Sequence, residues 1–348
     1  MIIERQRFAL RPRPPFRLEL TVWALHRRDQ NAIDTWDGRT YRRVLLVKGA
    51  PLELAVTQAG PAGAPRLEVV ASGMGLPAGA GDAARSALMA LLGLEIDLSA
   101  FYARAARDRT LLTLVDHYRG VKPCLLNAVA CQQLSLAAGL SLLSRLAVTA
   151  APSAGTLHAF PAPAHVLGLP RSRLRTIGFS ERKAETLHEL ADAAVTSELE
   201  FGTLERLDDT AVAEKLMRRR GIGRWSADYV LLLGLGRLHV FPRGDIGAQN
   251  GLRAFLAAAE VDQDPDAVLA RWAPDAGMVY FHLLLRGLER QGPLAAARDR
   301  GRTPTRTNVA ERRVVRNSTE DEAATAQRWG GQPIPALPSA RDDAGNEA

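Results

Sequence analysis

One carboxylate stands out by its surroundings. Asp245 closes the stretch GIGRWSADYVLLLGLGRLHVFPRGD, residues 221–245. Two glycines bracket Ile222, an aromatic segment opens with Trp225, and a short loop leads through Phe241 and Pro242 to the acid. A fixed carboxylate can stabilise positive charge that develops on a substrate, or orient and deprotonate a water. Gly221 and Gly223 permit positive φ and leave no side chain between the backbone and a partner. The N–H groups at the start of the next helix then form an anion site with the helix dipole behind them. Arg218, Arg219, Arg220 and Arg224 surround that site, which suits a phosphate. Each feature alone has a plain structural alternative: the glycine pair is an ordinary helix corner, and Asp245 is an N-cap for IGAQNGL. The combination carries the chemical reading.

These residues need elements to position them. The chain has 348 residues, enough for two or three domains, and is 47% hydrophobic, enough for a sizeable core. Residues 16–72 hold short alternating segments, FRLELTVWAL, YRRVLLVKG, LELAVTQ and RLEVVAS, joined by turn-forming NAIDTWDGRT, KGAP and AGPAGAP. That pattern predicts a small antiparallel sheet. SALMALLGLEIDLSAFYARAARD predicts helix, loop, helix. From about residue 110 to 290 the apolar spacing is helical, a body of about eight helices, with Ser180 as the N-cap of SERKAETLHELADAAV. The expected fold is therefore α+β and mostly α. Residues 1–108 form an α+β domain and 109–292 a helical body with the helix–turn–helix at 210–235. Residues 293–348, charged and then Pro/Gly-rich, form a disordered tail. Trp329 in that tail has no account.

Composition narrows the partners. A net charge of +7 and a pI near 9.9 make nucleic acid a natural partner. Cys124 and Cys131 sit in an apolar helical pattern whose spacing matches no zinc or iron–sulfur frame, and they read as buried thiols in a reducing compartment. No apolar run reaches the roughly 18 residues of a membrane helix, and the expected location is cytoplasmic, nucleoid-associated in a bacterium. Walker and dinucleotide fingerprints are absent. His282 reads as a core histidine and Trp272 as helix packing.

The stretch GIGRWSADYVLLLGLGRLHVFPRGDIGAQNGL resembles the helix-hairpin-helix motif and catalytic loop of base-excision DNA glycosylases, and it is most similar to the 3-methyladenine DNA glycosylase II family. NAVACQQLSLAAGLSLLSRL, FPAPAHVLGL, LRTIGFSERKAETLHELADAAV and LARWAPDAGMVYFHLLLRGL resemble further segments of that family, and the resemblance spans roughly residues 15–290. It implies that Asp245 is the essential carboxylate. Breaking an N-glycosidic bond builds positive charge on the deoxyribose, which one carboxylate can stabilise. An alkylated purine already carries positive charge and leaves without strong acid assistance. Trp225 stands where lyase-competent relatives have lysine, which implies a monofunctional enzyme with water as nucleophile. The four-cysteine cluster signature of many relatives is missing, so no iron–sulfur cofactor is expected. A monovalent ion could sit on the carbonyls of Met217, Arg219 and Ile222.

The target base must leave the duplex, so a pocket and a wedge are needed. Trp225 and Tyr229, at i and i+4, can stack on an electron-poor base, with core packing as the alternative. By the resemblance, Gln133 is the wedge candidate, where well-known members have leucine, and Gln132 supports the pocket. The late aromatic pair of some members aligns with Leu284 and Leu285 here; Tyr280 and Phe281 lie one turn earlier. Gly221, Gly223, Arg224 and Ser226 are the expected phosphate contacts. The implied activity is hydrolysis of alkylated purines, 3-methyladenine and 7-methylguanine, from double-stranded DNA by a monomer. The alternatives are a same-fold glycosylase for deaminated or oxidised bases, and a non-catalytic DNA-binding module.

Overall fold

A computed structural model describes residues 3–27, 31–123, 136–199 and 201–290. Cys124, Cys131, Gln132, Gln133 and the tail from residue 293 lie outside the described residues. The chain opens with β1 (Ile3–Leu10), α1 (Leu18–His26), β2 (Asp34–Trp36), β3 (Thr40–Val47), β4 (Ala50–Ala59) and β5 (Arg66–Met74). The five strands form one sheet in the order β1-β5-β4-β3-β2, every neighbour antiparallel. Alternation explains the sheet. Leu52, Leu54 and Val56 of β4 and Leu67, Val69 and Ala71 of β5 all face inward, while Arg66 and Glu68 face solvent.

Two readings of the sequence change here. FRLELTVWAL, expected as a strand, contains helix α1, in which eight of nine residues are buried. Its apolar residues fall on both parities, so no clean two-residue alternation exists. A helix closes its own backbone hydrogen bonds and can be surrounded by core on every side. The sheet also begins ahead of the alternating segments of residues 16–72: the charged segment IERQRFAL is strand β1. It is an edge strand, and its exposed Glu4, Arg5 and Arg7 discourage pairing with another chain.

The rest is helical: α2 (Ala80–Leu91), α3 (Ser99–Ala105), α4 (Arg109–His117), α5 (Leu136–Ala150), a two-residue ladder of β6 (Ser153–Ala154) with β7 (Leu157–His158), then α6 (Pro163–Leu167), α7 (Arg171–Thr176), α8 (Glu181–Val195), α9 (Phe201–Glu205), α10 (Asp209–Met217), α11 (Arg224–Tyr229), α12 (Ile246–Ala258), α13 (Pro265–Arg271) and α14 (Ala276–Arg290). Ser180 caps α8 as expected, its Oγ accepting from the Lys183 N–H at 3.4 Å. The fold is thus α+β with a helical majority. One apolar interior begins under the sheet at Leu52 and Val69 and passes Leu88, Phe101 and Leu114. It continues to Tyr229, Phe255 and Phe281, so residues on both sides of position 108 share a core. Two smaller clusters lie among α5–α8 and among α8, α10 and α11. Trp272 is core, with its indole N–H donated to Asp108 at 2.9 Å. None of the described helices is long and apolar enough to cross a membrane.

Candidate active site

The hairpin is built from α10, a tight turn and α11. Asp208 caps α10 by accepting from the Ala211 N–H at 2.8 Å. Gly221 has φ of 83°, a left-handed conformation that most side chains resist. Gly223 differs from expectation: its φ of −101° and ψ of 178° are ordinary extended backbone. A Cβ on Gly223 would meet nothing within 4 Å, so the fold itself has room there. The first helical bond runs from the Ala227 N–H to the Gly223 carbonyl at 3.1 Å, and the helix N-terminus opens beside Gly223. Beyond Tyr229 the helix continues as one π turn, Val230–Gly234, all of it buried, which anchors the hairpin in the core.

Three of the four arginines expected around the anion site have acidic partners. Arg219 is paired with Glu198, Arg220 lies 3.8 Å from Glu185, and Arg224 donates to Asp228 at 2.8 Å. The positive field at the hairpin is therefore smaller than the sequence suggests. Arg224 stays 70% exposed while Asp228 is buried, and burial pushes the Asp228 carboxyl up against the opposing pull of Arg224. Ser226, expected among the phosphate contacts, is 5% exposed, so its hydroxyl is not on the surface the hairpin offers. Within the turn, the Arg219 carbonyl accepts one bond from the Ile222 N–H at 3.2 Å and keeps a second lone pair. Among the described residues no three His, Cys, Asp or Glu side chains gather as a metal site.

Asp245 is the N-cap of α12. Its backbone N–H donates to the Pro242 carbonyl at 2.8 Å, which curls the preceding loop. Its Oδ1 accepts from the Ala248 N–H at 2.9 Å, and its Oδ2 from the Tyr229 hydroxyl at 3.2 Å. Tyr229 and Tyr280 are hydrogen-bonded through their hydroxyls. Because Tyr229 gives its proton to Asp245, Tyr280 is the donor to Tyr229, and the relay ends on the carboxylate. Burial holds the Tyr229 hydroxyl well above its ordinary pKa of 10.0, so it stays a donor. Each Asp245 oxygen keeps lone pairs for a further partner.

A cleft of about 490 Å³ opens over this carboxylate. Trp225, Tyr280, Leu284, Leu288 and Arg286 line it with Asp245. The sequence reading placed both Trp225 and Tyr229 in the wall. Trp225 is there, half-buried, with its indole Nε1 unpartnered among the described residues. Tyr229 is not: it is 7% exposed and lies behind the wall, its ring 5.0 Å from Trp225. Close packing holds the Asp245 loop against α11, since a Cβ on Gly244 would come within 2.8 Å of the Trp225 Cβ. Tyr280 and Arg286 were missed as wall residues. The signal for Tyr280 is helical spacing, since Tyr280, Leu284 and Leu288 recur every four residues along one face of α14; Arg286 falls outside that series. Leu285 and Phe281 are fully buried, and so is His282.

Residues 126–272 match the model of the HhH-GPD superfamily of base excision DNA repair proteins. YfjP of Bacillus subtilis is 31% identical over 156 residues, 43% of this chain and 53% of YfjP. DNA-3-methyladenine glycosylase 1 of Schizosaccharomyces pombe is 30% identical over 154 residues, 42% of this chain and 65% of that protein. The chain thus spans between half and two thirds of these relatives' length. The solved 3-methyladenine DNA glycosylase of Archaeoglobus fulgidus superposes with a TM-score of 0.67 over 82% of this chain and 99% of its own, at 22% identity, a likeness of fold.

Proposed function

We propose that the chain is a monofunctional DNA glycosylase that hydrolyses the N-glycosidic bond of alkylated purines, 3-methyladenine and 7-methylguanine, in duplex DNA. The observation that carries the reading is Asp245, held by the Ala248 N–H and the Tyr229 hydroxyl at the floor of an aromatic-walled cleft. The names of the relatives support the reaction and the lesion class. A flipped base enters the cleft and stacks on Trp225 and Tyr280. As the C1′–N bond lengthens, positive charge grows on the deoxyribose, and the Asp245 carboxylate stabilises it. Water adds to C1′, its proton passes to Asp245, and the base departs with the bonding pair. Strong acid assistance is unnecessary for a base that already carries positive charge.

The hairpin amides at Gly223 and Arg224 hold a phosphate of the same strand, and a monovalent ion on the Met217, Arg219 and Ile222 carbonyls would stiffen the turn. Gln133 is the proposed wedge and Gln132 its neighbour at the pocket. Tryptophan at position 225 supplies no amine for a Schiff base, which favours hydrolysis over strand cleavage. The proposed working form is a monomer on DNA in the cytoplasm or nucleoid, with no iron–sulfur cluster. A DNA-binding module without catalysis has no use for a carboxylate aimed into a cleft. The test is release of free base from methylated duplex DNA, native chain beside Asp245→Asn, with products identified by chromatography. Release by the native chain alone is expected. Equal release by both would remove Asp245 from the mechanism.

A further inference from the structure

Asp245 has a neighbour in the chain that the core does not employ. Ile246, the first residue of α12, is 75% exposed, more than any other large apolar side chain among the described residues. The buried face of α12 runs through Ala248, Leu252, Phe255 and Leu256. By helical spacing Ile246 lies roughly 200° around the axis from Ala248, off that face. It lines the Asp245 cleft instead, close by Gly244 and Gly247, which carry no side chain to cover it. A single exposed apolar residue on an open surface is ordinary. This one stands at the rim of a cleft, next to the carboxylate that the cleft is built around. Its branched Cβ restricts χ1, so the side chain is set before a partner arrives.

We infer that Ile246 packs on the deoxyribose of the extruded nucleotide and keeps bulk water off the carbon under attack. The inference rests on the glycosylase reading and adds a sugar contact to it. To act, the Asp245 carboxylate must come within roughly 3–3.5 Å of C1′. Consecutive Cα atoms are about 3.8 Å apart, so the side chain that follows the acid falls against the same sugar ring. Deoxyribose presents C–H groups there, and covering them with Ile246 releases water from both surfaces. A drier C1′ also strengthens the attraction between Asp245 and the charge that develops on the sugar. The contact is indifferent to the charge of the base, so it serves a cationic alkylated purine without penalty.

The experiment compares the native full chain, Ile246→Ala and Ile246→Val on three duplexes of one sequence: intact, with a single 7-methylguanine, and with a single tetrahydrofuran abasic analogue. The analogue keeps a sugar ring and lacks the base, so it separates a sugar contact from base stacking. Melting temperatures should agree across the three proteins, because the residue is exposed. The native chain is expected to bind the analogue duplex more tightly than the intact one. Ile246→Ala should lose about tenfold of that preference and about tenfold in kcat/KM for 7-methylguanine, while Ile246→Val keeps most of both. An analogue preference in Ile246→Ala equal to the native one would overturn the inference, whether or not base release falls. An equal loss of affinity for intact and analogue duplexes would also overturn it, and would place Ile246 against undistorted DNA. Failure of the native chain to release 7-methylguanine would overturn the alkylpurine reading, and the binding comparison, which needs no turnover, still decides the sugar contact.

Discussion

Tyr229 shows how a residue can be right in location and different in role. From its i+4 spacing to Trp225 it belongs on the same helix face, and the two rings are indeed neighbours. Yet its ring is buried behind the cleft and its hydroxyl reaches Asp245. Removing that hydroxyl should leave base stacking intact and loosen the carboxylate. Tyr229→Phe is expected to lower kcat by about tenfold, with KM little changed, because one hydrogen bond to a charged group is lost. Steady-state kinetics on a single-lesion duplex check this; a rise in KM at constant kcat would assign Tyr229 to base binding instead. Asp245 itself was legible because its local surroundings name it: a loop, an N-cap position and a helix start lie within a few residues. Tyr280 and Arg286 were not, since only packing brings α14 across from α11 and α12.

At the scale of elements, the hairpin and the loop after it make separable predictions. Gly223 has extended backbone and open space around it, and it is the N-cap of α11. Aspartate is a favourable N-cap, so Gly223→Asp should leave the melting temperature unchanged or slightly raised. The same carboxylate would face the proposed phosphate, and DNA affinity should fall at least about tenfold. Fluorescence anisotropy with duplex DNA and a thermal melt on one sample decide it; unimpaired binding would remove the hairpin from the DNA interface. Gly244→Ala has the opposite signature. Its Cβ would lie 2.8 Å from that of Trp225, and neither backbone has room to yield freely. A cost of roughly 1–3 kcal/mol is expected. Base release should fall by more than the loss of folded protein explains, because the displaced loop carries Asp245.

At the scale of the molecule, one core joins the sheet to the helices, and His282 sits inside it. It is fully buried beside Phe101 and Tyr118, with Nδ1 donating to the Met278 carbonyl at 2.8 Å. Burial lowers its pKa from 6.5 to about 4. Between those values the unfolded chain binds a proton that the folded chain refuses. Stability from this residue is therefore complete above pH 6.5 and is lost as pH falls toward 4, by a few kcal/mol at most. Urea denaturation at several pH values should show that slope in the native chain and a shallower one in His282→Gln. Equal slopes would mean that His282 titrates normally.

Much of this protein is written locally. The Ser180, Asp208 and Asp245 caps, the turn at Gly221 and the alternation of β4 and β5 depend on neighbours a few residues away, and spacing alone reveals them. The tertiary structure decided the rest. FRLELTVWAL became helix because core closes around it on every side, a condition no periodicity within ten residues can state. The hairpin arginines are partly neutralised because Glu185 and Glu198 arrive from and beyond α8. The wall of the cleft was decided by α14, which brings Tyr280 and Arg286 to Asp245 from far along the chain. Capping and turn chemistry are short-range hydrogen bonding; burial and charge pairing are set by whatever the folded chain brings alongside.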